Sequence, residues 1–278
     1  MKLGFIDYFL DEWHANAYPK MIREASDGQI EAVYAYGQVV SPYTGRDSAA
    51  WCEKRGLILC QTIEELIEKS DALVVLSPDN VEMKEELSRL ALMSGKRTYI
   101  DKTFAPDKKT AQAMFALGEQ YGTPCYSSSA LRYAEEYAPF LDQQVKTMSM
   151  WGSGDVDTYS IHQLEPLMML MKGKVSRVMA KLQDSWTNVT LEWEDGRTAN
   201  ILCSGKDDIP FVSAICTEEG TQMVQVKSAF FDVFIKSLVH FFRTGEVPVT
   251  HEETVSIMAV REAVMQAAAQ PGVWVELN

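Results

Sequence analysis

The stretch that most constrains the fold is Ala72-Leu73-Val74-Val75-Leu76, five apolar residues without a polar break, ended by Ser77-Pro78. A strand with one wet face alternates in polarity. One that is apolar throughout is covered on both faces, as in a parallel sheet between two helical layers. The neighbouring sequence supplies those layers. Leu3 to Ile6, Ile30 to Ala35, Leu57 to Cys60, Thr98 to Ile100 and Cys125 to Ser127 read as further short strands. Helical patterns fall between them. One has Pro19 in its first turn and runs to about Ser26. One passes through Trp51 and ends at Gly56, and one opens on the Thr62/Glu65 capping box. One carries Met83, Leu87, Leu90 and Ala91 and closes at Gly95, and one is opened by Pro106. Such alternation predicts a doubly covered parallel sheet.

The pattern changes after about residue 128. Gln144 to Trp151, Ser176 to Gln183, Thr187 to Trp193, Thr198 to Cys203 and Phe211 to Thr217 read as strands, several joined by hairpin signals such as Glu194-Asp195-Gly196. A helix starts near His162, two more cover about 228–243 and 251–269, and Val273 to Leu277 closes the chain as a strand. The expected class is α/β, with a parallel N-terminal domain over 1–124 and an α+β domain with an open antiparallel sheet over 125–278.

The 278 residues carry a net charge of −13, which argues against nucleic acid and anionic membrane as partners, since both need a basic footprint. No apolar run reaches the roughly 18 residues of a membrane span, and the first residues do not form a secretory signal. The five cysteines (Cys52, Cys60, Cys125, Cys203, Cys216) form no C-x-x-C pair, and they read as reduced, mostly buried thiols of a cytoplasmic protein.

Four stretches carry a resemblance: Ser77-Pro78-Asp79-Asn80 after the apolar strand, Gly95 to Thr103 with Asp101-Lys102-Thr103, Asp157 to Gly173 around His162, and the tail from His251 to Leu277. In this order they resemble the glucose–fructose oxidoreductase and inositol dehydrogenase family, Gfo/Idh/MocA. The resemblance implies a Rossmann-like domain binding NAD or NADP and a sheet domain that covers a sugar- or polyol-like substrate and builds a homodimer or tetramer. It also implies hydride transfer. Lys102 then matches the family's catalytic lysine, with Asp101 and Thr103 in place of its glutamate and proline. His162 matches the catalytic histidine and Glu165 the acid three residues on. Thr158 stands where the family has an acid, so the relay is assigned to Asp157, one place earlier. Asp7, Tyr8, Phe9, Tyr36, Ser77, Pro78, Asn80 and Asp101 are assigned to the cofactor groove. His14, Arg132, Tyr133 and Glu165 are assigned to substrate. No metal is expected.

The turn from Gly4 to His14 departs from that family. Asp7, Phe9 and Glu12 fall on the three glycine positions of G-x-G-x-x-G. Three acids (Asp7, Asp11, Glu12) crowd a place that normally welcomes an anion. Two readings stay open: an oxidoreductase of the family's type, or a non-redox relative that has lost ordinary dinucleotide binding. In the second, the protein is a sugar-binding or regulatory module, or a cofactor-independent lyase or isomerase. In a bland variant the turn is solvated, with Trp13 packed beneath it.

Overall fold

A computed structural model describes residues 1–277. The chain divides into two compact units: Met1–Ser128 with Asp232–Thr254, and Ser129–Phe231 with the segment from Val255 onward.

The first unit begins β1 (Lys2–Asp7), α1 (Trp13–Ala25), β2 (Glu31–Gly37), α2 (Ser48–Arg55), β3 (Ile58–Leu59) and α3 (Ile63–Lys69). It continues β4 (Ala72–Val75), α4 (Lys84–Leu92), β5 (Thr98–Ile100), α5 (Lys108–Gln120) and β6 (Cys125–Tyr126). The strands form one parallel sheet in the order β3-β2-β1-β4-β5-β6. All four residues of β4 are fully buried, as its unbroken apolar run requires. The chain leaves β1 toward one edge and returns at β4 toward the other. Such an order opens a crevice at the carboxyl ends of β1 and β4, where α/β proteins place ligands.

α1 starts six residues before the turn predicted at Pro19, which lies inside the helix. The reason is a cap: the Glu12 side chain accepts hydrogen bonds from the backbone N–H groups of His14 and Ala15. Likewise α5 begins after Pro106, because Asp107 accepts from the Thr110 N–H at 2.7 Å. Trp13 is exposed and is not packed beneath the turn.

The second unit contains β7 (Thr147–Gly152), α6 (Val156–Met171), β8 (Val175–Gln183), β9 (Trp186–Trp193), β10 (Thr198–Cys203), β11 (Val212–Thr217) and β12 (Gly220–Gln225). α7 (Phe230–Thr244), α8 (His251–Ala269) and β13 (Trp274–Glu276) complete the chain. The second sheet runs β12-β11-β7-β10-β9-β8-β13. It is mixed, because β7 and β10 pair in parallel while its other pairs are antiparallel. α6 crosses over so that β8 follows the direction of β7, and two hairpins then bring β10 back alongside β7. One sheet face is buried through Met148, Met150, Val189, Leu191 and Ile201.

α7 returns to the first unit. The fully buried Phe234 packs against Tyr18 and Tyr99 at 5.8 and 5.7 Å between ring centroids, and Phe241 meets Tyr126 edge-on. The Arg97 guanidinium donates to the Phe242 carbonyl at 2.5 Å, closing the helix's last turn.

Candidate functional site

The turn after β1 is built around its own acids. Asp7 ends the strand with its side chain turned inward, and its Oδ1 accepts from the N–H groups of Tyr8 at 2.7 Å and Ser77 at 2.9 Å. Its Oδ2 has no hydrogen-bond partner among the described residues. Glu12 caps α1, with Oε2 2.6 Å from the His14 N–H and Oε1 on the Ala15 N–H. Burial, then the charge of Asp7, pushes the Glu12 carboxyl up to about 9. Burial raises Asp7 to about 7, against the opposing charge of Lys84. Lys84 is itself fully buried, donates to the Leu76 carbonyl, and is lowered by burial to about 8.

Asp11 is different. Against burial, Asn16 donating at 3.0 Å, Thr44 at 2.8 Å and Arg46 at 2.5 Å hold its carboxyl low. The three acids therefore do not stack three charges in the turn: one is paired with arginine and one is neutral at pH 7. Phe9 is buried edge-on against Tyr43.

Beside this turn lies a second buried group. Asp101 is fully buried where β5 ends. Its Oδ2 is 2.6 Å from His14 Nδ1, and its Oδ1 accepts from the hydroxyls of Tyr99 at 2.9 Å and Tyr18 at 3.3 Å. Burial alone would raise Asp101, but the His14 contact and the charges of Lys102 and Lys84 outweigh it and hold the carboxyl ionised. Lys102 is 8% exposed, and its ammonium has no hydrogen-bond partner among the described residues.

The other groove residues assigned from sequence follow the carboxyl ends of β1 and β4 or, for Tyr36, end β2. Ser77 donates from Oγ to the Asn80 carbonyl at 2.9 Å, Pro78 is buried, and Tyr8 and Tyr36 are half-buried. Lys84 was absent from that assignment. Its signal was the spacing of Lys84, Leu87, Ser88 and Ala91, one buried face of α4 on which the lysine takes a core position.

In the second unit, His162 lies in the second turn of α6, half-buried, with Nδ1 2.7 Å from Ser129 Oγ and its ring edge-on to Tyr159 at 5.3 Å. Arg132 and Glu165 form an ion pair at 2.7 Å with side-chain exposures of 8% and 4%. Tyr133 is half-buried. Asp157 pairs with Arg261 at 2.6 Å. Five residues apart on a helix, Asp157 and His162 point about 140° away from each other. Asp155, not Asp157, caps α6 and holds the Thr158 hydroxyl.

No group of three or more histidine, cysteine or acidic side chains is placed to hold a metal among the described residues. For NAD or NADP the requirement is a helix N-terminus with free N–H groups facing a small-residue turn. Here the N–H groups of His14 and Ala15 are taken by Glu12, those of Tyr8 and Ser77 by Asp7, and a buried phenylalanine lies between. These residues do not fit a dinucleotide pyrophosphate held in the ordinary way.

No family model and no curated protein matches the chain. Solved structures do. The apo scyllo-inositol dehydrogenase of Lactobacillus casei superposes with a TM-score of 0.81 at 13% identity, over 99% of this chain and 98% of that one. GenD2 of gentamicin A biosynthesis, solved with NAD, gives 0.79 at 13% identity over 100% and 96%. The WlbA dehydrogenase of Bordetella pertussis, solved with NADH and UDP-GlcNAcA, gives 0.78 at 14% identity over 100% and 98%. The chain shares the fold of these proteins across its length.

Proposed function

Starting from a chain with the Gfo/Idh/MocA dehydrogenase fold, we propose that it acts on a small sugar- or polyol-like molecule by acid–base chemistry, as a cofactor-independent isomerase or lyase. One observation carries the reading: Glu12 occupies the two α1 N–H groups on which a dinucleotide pyrophosphate would rest. The substrate class is supported by the inositol and UDP-sugar proteins that share the fold. Lys102 in the first unit and His162 in the second are the inherited proton-handling candidates, and Arg132 with Glu165 offers a fixed polar pair for ligand hydroxyls. Exposed Trp151 and Met223 on the second sheet support a homodimer or tetramer, and the free thiols, four of them buried, support a reducing compartment. Among the described residues no helix is long and apolar enough to cross a membrane.

A second reading, hydride transfer with NAD or NADP, is favoured by the strand order and by relatives of the fold solved with NAD and NADH. It requires the Glu12 carboxyl to leave its two N–H groups. Calorimetric titration of the folded protein with NADH and with NADPH separates the two. Acid–base chemistry alone predicts no saturable binding tighter than about 1 mM. A micromolar dissociation constant for either nucleotide restores the dehydrogenase.

A further inference from the structure

We propose that His14 and Asp101 form a proton-accepting dyad, an acid–base site inside the first unit for a polyhydroxy compound bearing a carbonyl. The inference rests on the acid–base reading above and deepens it by naming a base that the family resemblance does not supply.

An ionised carboxylate only accepts hydrogen bonds. Asp101 Oδ1 is supplied by Tyr18 and Tyr99, so its Oδ2, 2.6 Å from His14 Nδ1, must receive a proton from the imidazole. That places the proton of neutral His14 on Nδ1 and leaves a lone pair on Nε2. Most buried side-chain polar atoms have a hydrogen-bond partner. His14 Nε2 has no hydrogen-bond partner among the described residues, and the side chain keeps 10% exposure.

The ring is also held in place. It stacks on Tyr18 at 5.0 Å with 8° between planes, and the backbone beneath it is pinned by the Glu12 cap. The groups that act on it are Asp101, Lys102 and Lys84. Burial and the two lysine charges lower its basicity while Asp101 raises it, and burial wins, so the base is free at neutral pH. A base oriented by a buried carboxylate through its other nitrogen is the arrangement that general-base catalysis uses.

The step is balanced without a co-reactant. Nε2 takes the proton from the carbon beside the carbonyl, the C–H electron pair becomes the new carbon–carbon double bond, and the carbonyl π pair moves to oxygen. The Lys102 ammonium, next in sequence to Asp101, has the charge that oxygen needs. The carbon that lost the proton carries a hydroxyl; return of the proton to the former carbonyl carbon, with the O–H pair of that hydroxyl becoming the new carbonyl and its proton passing to the first oxygen, completes an isomerisation with no net oxidation.

The test is nitrogen NMR on protein labelled in its four histidines, with His14 assigned by its absence in His14→Gln. The expected state at pH 7 is Nδ1–H with an unprotonated Nε2, and diethyl pyrocarbonate should acylate Nε2 in the native protein. Asp101→Asn, which can donate where aspartate only accepts, should release the tautomer and slow acylation about tenfold or more. An Nε2–H tautomer, an imidazolium at pH 7, or a native His14 inert to the reagent overturns the dyad. The wild-type measurements decide alone if Asp101→Asn does not fold. Micromolar NADH binding would instead overturn the acid–base reading, so the two failures are distinguishable.

Discussion

Glu12 serves its own helix. Its carboxyl satisfies two of the four N–H groups that every helix leaves open at its start, and it does so at a site the fold otherwise keeps for an anion. Glu12→Ala should cost about 1 kcal/mol of stability in urea unfolding below pH 4.5, where the carboxyl keeps its proton folded and unfolded alike, the usual loss of a cap, and an unchanged midpoint there would show that the cap is idle. Arg132 and Glu165 make the opposite case: both are nearly buried, so removing one partner strands a charge. Arg132→Met should destabilise by about 3–5 kcal/mol in the same assay, and a loss under about 1 kcal/mol would mean the pair is solvated. At this scale the sequence was half-legible. It placed Asp7 and Glu12 on glycine positions, but a linear reading does not show a side chain folding back onto its own helix. It assigned Asp101 to the cofactor groove beside Lys102 but not to a bond with His14, because the tyrosines and histidine that surround it come from β5 and α1 and meet only in three dimensions. Asp157, assigned to the relay, is turned away from His162 by the 3.6-residue period and pairs with Arg261.

Among the elements, β1 and α3 approach so closely that a Cβ on Gly4 would lie 2.3 Å from Leu66 Cδ2 and 2.4 Å from Ser70 Oγ. Gly4 is therefore a packing glycine. Gly4→Ala should lower the thermal midpoint of the whole protein, by overpacking worth about 1–3 kcal/mol, and a neutral substitution would contradict the close approach. The strands of both sheets were legible because their apolar runs and alternation are local. β12 was not: its exposed sequence, Gly220 to Gln225, has no apolar face to read, and it forms only by pairing with β11. The return of α7 to the first unit was hidden too, since its apolar face says that it is buried but not against what.

For the whole molecule, the buried acids predict how stability follows pH. Asp7 and Glu12 hold protons more tightly folded than unfolded, with folded values of about 7 and about 9 against 3.8 and 4.5. Stability from these groups is full at low pH and drains away as pH rises toward those values. Below 6.5 His14 opposes the trend, and above about 8 Lys84 does, so the trend is cleanest from pH 6.5 to 8. There stability should fall by about 1–2 kcal/mol per pH unit, and Glu12→Gln should flatten the slope; parallel slopes for the two proteins would refute the assignment. Light scattering after gel filtration should show a dimer or tetramer, and a monomer at assay concentration would remove the oligomer from the proposal. The central claim is that Glu12 fills the anion place of the fold, and the most direct measurement compares NADH affinity in the wild type and Glu12→Gly by calorimetry. Freeing two N–H groups should tighten binding about tenfold or more, from no detectable affinity in the wild type. Equal affinity in both proteins, or tighter binding by the wild type, would contradict it.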